Sequence, residues 1–323
     1  MKPEANDPYY RRLPTALAEN VNDGVKYLYR NAAGARLRFK TDSPYVAVSL
    51  KVSAVQTFSH MASTGFAGCH LFAKEEGENE EIYIGTFIPP YKDYDRYEGI
   101  IDLPDGKLRT VTVNLPLYIN ADEIYVGLKD GSAYEECEPY RASILYYGSS
   151  ITQGACASRP GSCYQAYITR ALNCDCVNLG FSGSAKGEDN IADYIAGLTT
   201  DLFVYDYDHN APDPAHLEAT HEKMFKKFRA THPDTPVIMV TRPKKHLTAE
   251  ETERRDIVKK TYENAVAGGD KNVYFVDGST FFDDFYAECC LVDNCHPTDL
   301  GFMYMAKKLI PIIDDAFKKS GCN

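Results

Sequence analysis

Tyr146-Tyr147-Gly148-Ser149-Ser150-Ile151-Thr152-Gln153-Gly154 is the stretch on which the reading of the fold turns. The apolar run leading into it, Ile144-Leu145-Tyr146-Tyr147, reads as a buried strand. Beyond it, Tyr164, Tyr167, Ile168, Ala171 and Leu172 recur at helical spacing. Open α/β sheets place their chemistry in small-residue turns at the carboxyl ends of strands. Gly148 permits a sharp turn there, and Ser150 can then present its hydroxyl above the sheet edge. Taken alone the stretch also suits a plain polar turn, so its weight depends on the segments around it.

Downstream, apolar strands alternate with amphipathic helices. The expected strands are Ile144–Tyr147, Cys176–Leu179, Leu202–Tyr205, Val237–Thr241 and Val273–Val276. Between them lie helical patterns carrying Ile191, Tyr194, Ile195 and Leu198, then Leu217, Met224, Phe225 and Phe228, then Ile257, Val258, Ala265 and Val266. Thr248-Ala249-Glu250-Glu251 reads as a capping box opening the third of these, and a last helix holds Ala306, Leu309, Ile310 and Ile313. Such alternation gives a five-stranded parallel sheet, flavodoxin-like, with helices on both faces and its functional loops on one edge.

Upstream the period is two. Val46, Val48, Leu50 and Val52 alternate with Tyr45, Ala47, Ser49 and Lys51, and similar alternation runs through Ile82 and Ile84, Val111 to Leu115, and Ile124 to Leu128. Asp42-Ser43-Pro44, Ile88-Pro89-Pro90 and Pro104-Asp105-Gly106 punctuate these runs. Short strands at this spacing predict an all-β sandwich of jelly-roll type, with no helix expected between about residues 20 and 130. The connector Glu135-Glu136-Cys137-Glu138-Pro139 places the domain boundary, giving a sandwich over 1–136 and an α/β domain over 137–323. A chain of 323 residues is long for one core, which fits two domains.

The net charge of −11, from 46 acidic against 35 basic residues, argues against nucleic-acid or anionic-membrane partners, which need a basic footprint. No stretch is apolar for long enough to span a bilayer, and Met1 to Asp7 lacks the apolar core of a signal peptide, so the expectation is a cytoplasmic protein. Ten cysteines contain no C-x-x-C pair, so neither a zinc module nor any other metal centre is expected. Cys156 and Cys295 stand out because each lies beside a candidate catalytic residue.

A serine hydroxyl needs a base to take its proton and an acid to orient that base. Asp293-Asn294-Cys295-His296-Pro297 supplies both near the end of the chain. On a tight loop the aspartate can accept the imidazole Nδ1–H, leaving Nε2 for Ser150, with Thr298 as the cap of the following helix. D-x-x-H is common in surface loops; its placement at the functional edge gives it meaning. Two further segments follow strands. Asn178-Leu179-Gly180-Phe181-Ser182-Gly183-Ser184 brings Gly183, whose N–H can approach an oxyanion unobstructed. Tyr205-Asp206-Tyr207-Asp208-His209-Asn210-Ala211-Pro212 brings Asn210, an uncharged N–H donor; His209 competes as a base but reads better as a neighbour shaping the pocket.

Together these four blocks resemble the SGNH (GDSL-type) hydrolase family over roughly residues 140–316. Gly148-Ser149-Ser150 resembles its nucleophile block, with Ser149 where the family commonly has aspartate. The third block here is Asp208-His209-Asn210-Ala211 in place of G-x-N-D. The resemblance implies Ser150 as nucleophile, His296 as base and Asp293 as orienter, with an oxyanion hole from the Ser150 and Gly183 N–H groups and the Asn210 side chain. A sandwich ahead of such a domain is similar to bacterial two-domain esterases, several of which deacetylate plant polysaccharides. Gly68-Cys69-His70-Leu71-Phe72 resembles the G-x-D-L-Y segment of one such subgroup, with His70 replacing aspartate.

The expected function is therefore a serine esterase hydrolysing short acyl groups, acetyl foremost, on small-molecule or oligosaccharide esters, without a cofactor. Arg159, Tyr207, His209 and Arg242 are candidate substrate contacts on the site loops, as are Tyr164 and Lys186. The alternatives are a lipase, arylesterase or thioesterase with the same triad, or a carbohydrate-binding protein with a dead centre. The sequence leaves the oligomeric state open, a homo-oligomer included.

Overall fold

The sheet that carries the site runs parallel throughout: its strands are short, largely buried runs, each separated from the next by a helix, and the three central ones are apolar and buried almost throughout. The computed structural model describes residues 10–78, 80–282 and 287–322. Seven strands precede this sheet: β1 (Arg36–Thr41), β2 (Tyr45–Ser53), β3 (Cys69–Glu75), β4 (Ile82–Phe87), β5 (Arg96–Asp102), β6 (Arg109–Asn114) and β7 (Asn120–Gly127). The sheet itself is built from β8 (Ser143–Gly148), β9 (Asp175–Gly180), β10 (Leu202–Asp206), β11 (Val237–Val240) and β12 (Val273–Val276).

The seven strands form two antiparallel sheets, ordered β1-β6-β3-β4 and β5-β2-β7. In β2 the alternation predicted from the sequence is complete: Val46, Val48, Leu50 and Val52 are buried and the residues between them are half-buried. Each such side chain contributes roughly 1.5–3 kcal/mol by leaving water. In β3 the alternation fails, and Cys69 to Ala73 are buried without a break. The outer face of that sheet is covered by the α/β domain. Gly161 N–H donates to His70 Nδ1 at 3.0 Å, the Arg170 guanidinium lies 4.2 Å from the Phe72 ring centroid, and Arg36 of β1 pairs with Asp175. One continuous apolar core accordingly runs from Phe39 and Val48 through Ile144 to Phe317.

Contrary to the all-strand expectation for the front half, short helices occur at Asp23–Leu28 and Ser63–Phe66. The first is capped by Asn22, whose side chain accepts from Val25 N–H. Helices of six and four residues are too short to impose a 3.6-residue period on the sequence.

The parallel sheet is ordered β12-β11-β10-β8-β9. The chain passes from β8 to β9 on one side and then returns to β10 on the other, so its direction of winding reverses at β8. Loops at that reversal splay apart and leave a crevice outside the strand ends, where ligands of such sheets bind. The loops after β8 and β10 carry Ser150 and Asn210. A second core lies on the sheet's other face, around Leu145, Phe203, Tyr205, Phe228 and Val258. The capping box Thr248/Glu251 opens the helix Ala249–Ala267, and Thr298 caps Asp299–Ser320. No described helix is long and apolar enough to cross a membrane.

Candidate active site

Ser150 is the first residue of a four-residue helix, Ser150–Gln153, entered directly from β8. An N–H in the first turn of a helix has no partner within that helix, so the Ser150 amide remains available to an anion. Ser149 caps the helix, its hydroxyl accepting from Ile151 N–H at 3.1 Å. That is the local work an aspartate could do at the same position.

A second support, Asp206 at the end of β10, was not singled out in the sequence. Its Oδ1 accepts from Ser149 N–H at 3.2 Å and from the Thr152 hydroxyl. A Cβ on Gly148 would overlap that carboxylate and the Thr152 hydroxyl, so this position needs glycine. Burial pushes the Asp206 carboxyl up to about 7, against the charge of His209 and the Thr152 hydrogen bond. An acidic residue closing an apolar strand, Leu202-Phe203-Val204-Tyr205-Asp206, is the sequence signal that marks it.

The sandwich also grips the Ser150 turn. Tyr118 donates its hydroxyl to the Ser150 carbonyl at 3.2 Å, and Gln153 Nε2 donates to Leu117 O at 3.2 Å and to Asn31 Oδ1 at 3.1 Å. Gln153 Oε1 accepts from Ser182 N–H at 3.1 Å, which ties the β9 loop to the β8 loop.

The loop after β12 closes on this turn. Asp293 Oδ1 accepts the N–H groups of Cys295 and His296 at 3.2 and 2.8 Å, and Oδ2 lies 2.8 Å from His296 Nδ1. Burial alone would raise this carboxyl, but those N–H donors and the imidazole hold it below its ordinary value. An ionised Asp293 can only accept, so Nδ1 carries the proton and Nε2 keeps its lone pair. That Nε2 stands 2.9 Å from Ser150 Oγ, so the hydroxyl donates to it. Burial lowers the imidazolium of His296, and the bond to Asp293 only partly restores it.

Gly183 adopts φ +64°, and the space where a Cβ would stand is empty, so the left-handed turn and not crowding calls for glycine. Asn210 Nδ2 donates to Phe181 O at 3.1 Å, which leaves its second N–H to be aimed elsewhere. The Asn210 loop is pinned from behind by Arg254, which donates to the carbonyls of Asp208 and Ala211 at 2.8 Å each.

Profiles of known families divide the chain at the same place as its architecture. The GDSL-like lipase/acylhydrolase family matches residues 141–314, more than half of the chain. The chain belongs to that family. Residues 2–134 match the GxDLY family, the N-terminus of SGNH-type esterases. No curated protein matches the chain in sequence. Among solved structures, a candidate GDSL-like lipase from Bacteroides ovatus is 28% identical, with TM-score 0.85 over 96% of this chain and 92% of that one. A salicylyl-acyltransferase from a tetracycline biosynthetic pathway is 21% identical, with TM-score 0.76 over 95% and 90%. A family two carbohydrate esterase from Clostridium thermocellum, solved with cellohexaose, is 15% identical, with TM-score 0.65 over 90% and 94%. A GDSL-like acylhydrolase with this fold is an esterase in its broad chemistry, and the finer assignment rests on the site.

The candidate substrate contacts have their recorded partners away from the side chains of Ser150, Asp293 and His296 in this GDSL-like domain. Tyr207 is wholly buried, donating to Thr220 Oγ1 at 3.0 Å, and Tyr164 is buried against Phe302. Both belong to the core beneath the sheet edge. His209 is held by Asp208 at 2.9 Å. The guanidinium of Arg159 lies 4.6 Å from the Tyr83 ring centroid, toward the sandwich. Arg242 pairs with Glu251 at 2.7 Å and donates to Asn294 O at 3.4 Å, bracing the loop that carries His296. The Lys186 carbonyl lies 2.8 Å from His216 Nε2.

Two residues near His296 come from places the sequence could not connect. His60, on the turn after β2, has its ring centroid 5.4 Å from that of His296. Cys156, in the turn after the nucleophile helix, stands at φ +69°.

Proposed function

We propose that the chain is a serine esterase that removes short acyl groups, acetyl foremost, from carbohydrates. The observation that carries this reading is the 2.9 Å contact between Ser150 Oγ and His296 Nε2, with Asp293 behind the imidazole. In this mechanism Ser150 Oγ attacks the ester carbonyl while its proton passes to Nε2. The oxyanion so formed is met by the N–H groups of Ser150 and Gly183 and by Asn210 Nδ2. Collapse expels the sugar alcohol, which takes the proton from His296, and leaves an acyl-Ser150. Water then attacks the acyl carbon, giving one proton to His296; the bond to Ser150 Oγ breaks, Oγ takes that proton back, and the carboxylic acid leaves and ionises in solution.

Support for a carbohydrate ester is the shared architecture with the cellohexaose-bound esterase, a fold-level analogy. The similarity to an acyltransferase bears on the second half of the cycle, where an alcohol in place of water would resolve the same acyl-enzyme.

The test combines a fluorophosphonate probe with peptide mapping and an ester panel of rising acyl length, including acetylated sugars. The expected label is on Ser150, with turnover greatest for acetyl esters. Ser150→Ala should lower kcat by about 10⁴–10⁶. A label elsewhere, or activity intact in Ser150→Ala, overturns the reading; a preference for long chains turns it towards a lipase.

A further inference from the structure

His60, Cys156 and His296 each offer one ligand atom, and these atoms all lie within 4.8 Å of one another. We propose that they form a binding site for a soft divalent cation of the zinc type, and that an ion bound there switches the esterase off. The donor set is two imidazoles and one thiol, the side chains that zinc selects. Zn–N and Zn–S distances of about 2.0 and 2.3 Å place tetrahedral ligands roughly 3.3–3.7 Å apart, so modest closure is enough. His60 can provide that closure, because it is exposed and sits on a turn. The backbone beneath it is anchored: the Phe58 ring packs edge-on against Phe66 and Tyr118, with centroids 5.7 and 5.5 Å away. Three protein ligands leave a fourth position for water, as in open zinc sites.

The inhibitory sign follows from His296. Its Nδ1 faces Asp293 and its Nε2 faces Ser150, so neither ring nitrogen is spare. An ion taking Nε2 displaces the Ser150 hydroxyl; one taking Nδ1 displaces Asp293 and moves the proton. Either way the base is lost while the ion stays. The sandwich thereby gains a role in control, since His60 lies outside the hydrolase domain and makes no contact that the triad requires. Sequence alone could not assemble the set, as its members stand on three loops from two domains.

Binding can be tested independently of activity, and only the inhibition rests on the esterase reading. The full chain is titrated with Co²⁺, following the thiolate-to-metal charge-transfer absorption. In parallel, Zn²⁺ is titrated against hydrolysis of p-nitrophenyl acetate, with recovery on adding a chelator. His60→Ala and Cys156→Ser should keep the metal-free rate, lose the Co²⁺ band, and need about tenfold more Zn²⁺ or higher for half inhibition. Cys156→Ser leaves every other cysteine in place, so the difference from wild type isolates this site. Equal inhibition in wild type and both variants overturns the proposal, as does a Co²⁺ band that survives them. If p-nitrophenyl acetate is not hydrolysed at all, the esterase reading fails, while a band lost in both variants still establishes the site.

Discussion

Two aspartate–histidine pairs stand at the same edge of the parallel sheet, and their difference shows what turns such a pair into a base. Asp208 and His209 are 2.9 Å apart, with side chains 3% and 6% exposed. Asp293 and His296 are 2.8 Å apart, with side chains 38% and 17% exposed. The buried pair has the more complete enclosure. Its carboxylate also accepts from Arg242 N–H, and its loop is held by Arg254. Yet His209 Nε2 has no hydrogen-bond partner among the described residues, whereas His296 Nε2 meets Ser150. A general base must reach both the nucleophile and the leaving group, so partial exposure and a third partner matter more than burial. The enclosed pair fixes the loop that carries Asn210; the open one is placed to move protons.

Replacing each histidine in turn is the strongest way to break this contrast. His296→Ala should cut kcat/KM by about 10⁴-fold or more, as loss of a triad member does. His209→Ala should leave kcat/KM within roughly tenfold of wild type, because it removes no group from the proton path. Its cost falls on stability instead, about 1–3 kcal/mol for a buried carboxylate that loses a donor, read as a lower Tm. Comparable kinetic losses in the two variants would mean that the enclosed pair also handles protons.

Asn210, next to His209, sharpens the comparison at the level of the oxyanion. Asn210→Ala should lower kcat by about 10²–10³ with KM little changed, since the donor acts on charge present only in the transition state. An unchanged kcat would assign the β10 loop, His209 and Asn210 together, to structure alone.

Much of this layout is legible in the sequence. The five parallel strands lie within a residue of their expected ends, because their short, largely apolar runs are bounded by polar and turn-forming residues. The Ser150, Gly183, Asn210 and Asp293-to-His296 segments stand out in the sequence because each comes after such a strand, and the structure brings Ser150, His296 and Asp293 into contact. What escaped depends on contacts between domains. Cys69 to Ala73 shows no alternation, since the α/β domain covers the outer face of β3, and His70 serves there as an acceptor for Gly161 N–H. Burial beside Arg159 and Arg170 drives the His70 imidazolium down to about 3, so it remains a neutral cross-domain link. His60 escapes for the same reason: its place beside His296 depends on which loops pack together, and local pattern does not report that. Asp206 carries a local mark, an acid closing an apolar strand, but its partners Ser149 and Thr152 lie on another loop.

The smallest effect, and the one that separates the two pairs by sign, is the pH dependence of kcat/KM. His296 must be neutral to accept the Ser150 proton. Burial lowers its imidazolium below the ordinary 6.5, the bond and charge of Asp293 raise it, and His60 and His209 lower it further. The lowering effects win, so the rate rises with pH through a midpoint below 6.5. Asp293→Asn removes a raising influence and should move that midpoint down, with a lower plateau. His209→Gln removes a lowering influence and should move it up, with the plateau largely kept. Both shifts are read from kcat/KM profiles across the acid limb on one short-chain ester. Shifts in the same direction would mean that both aspartate–histidine pairs reach the base through a common rearrangement of the sheet edge, and not through their separate charges.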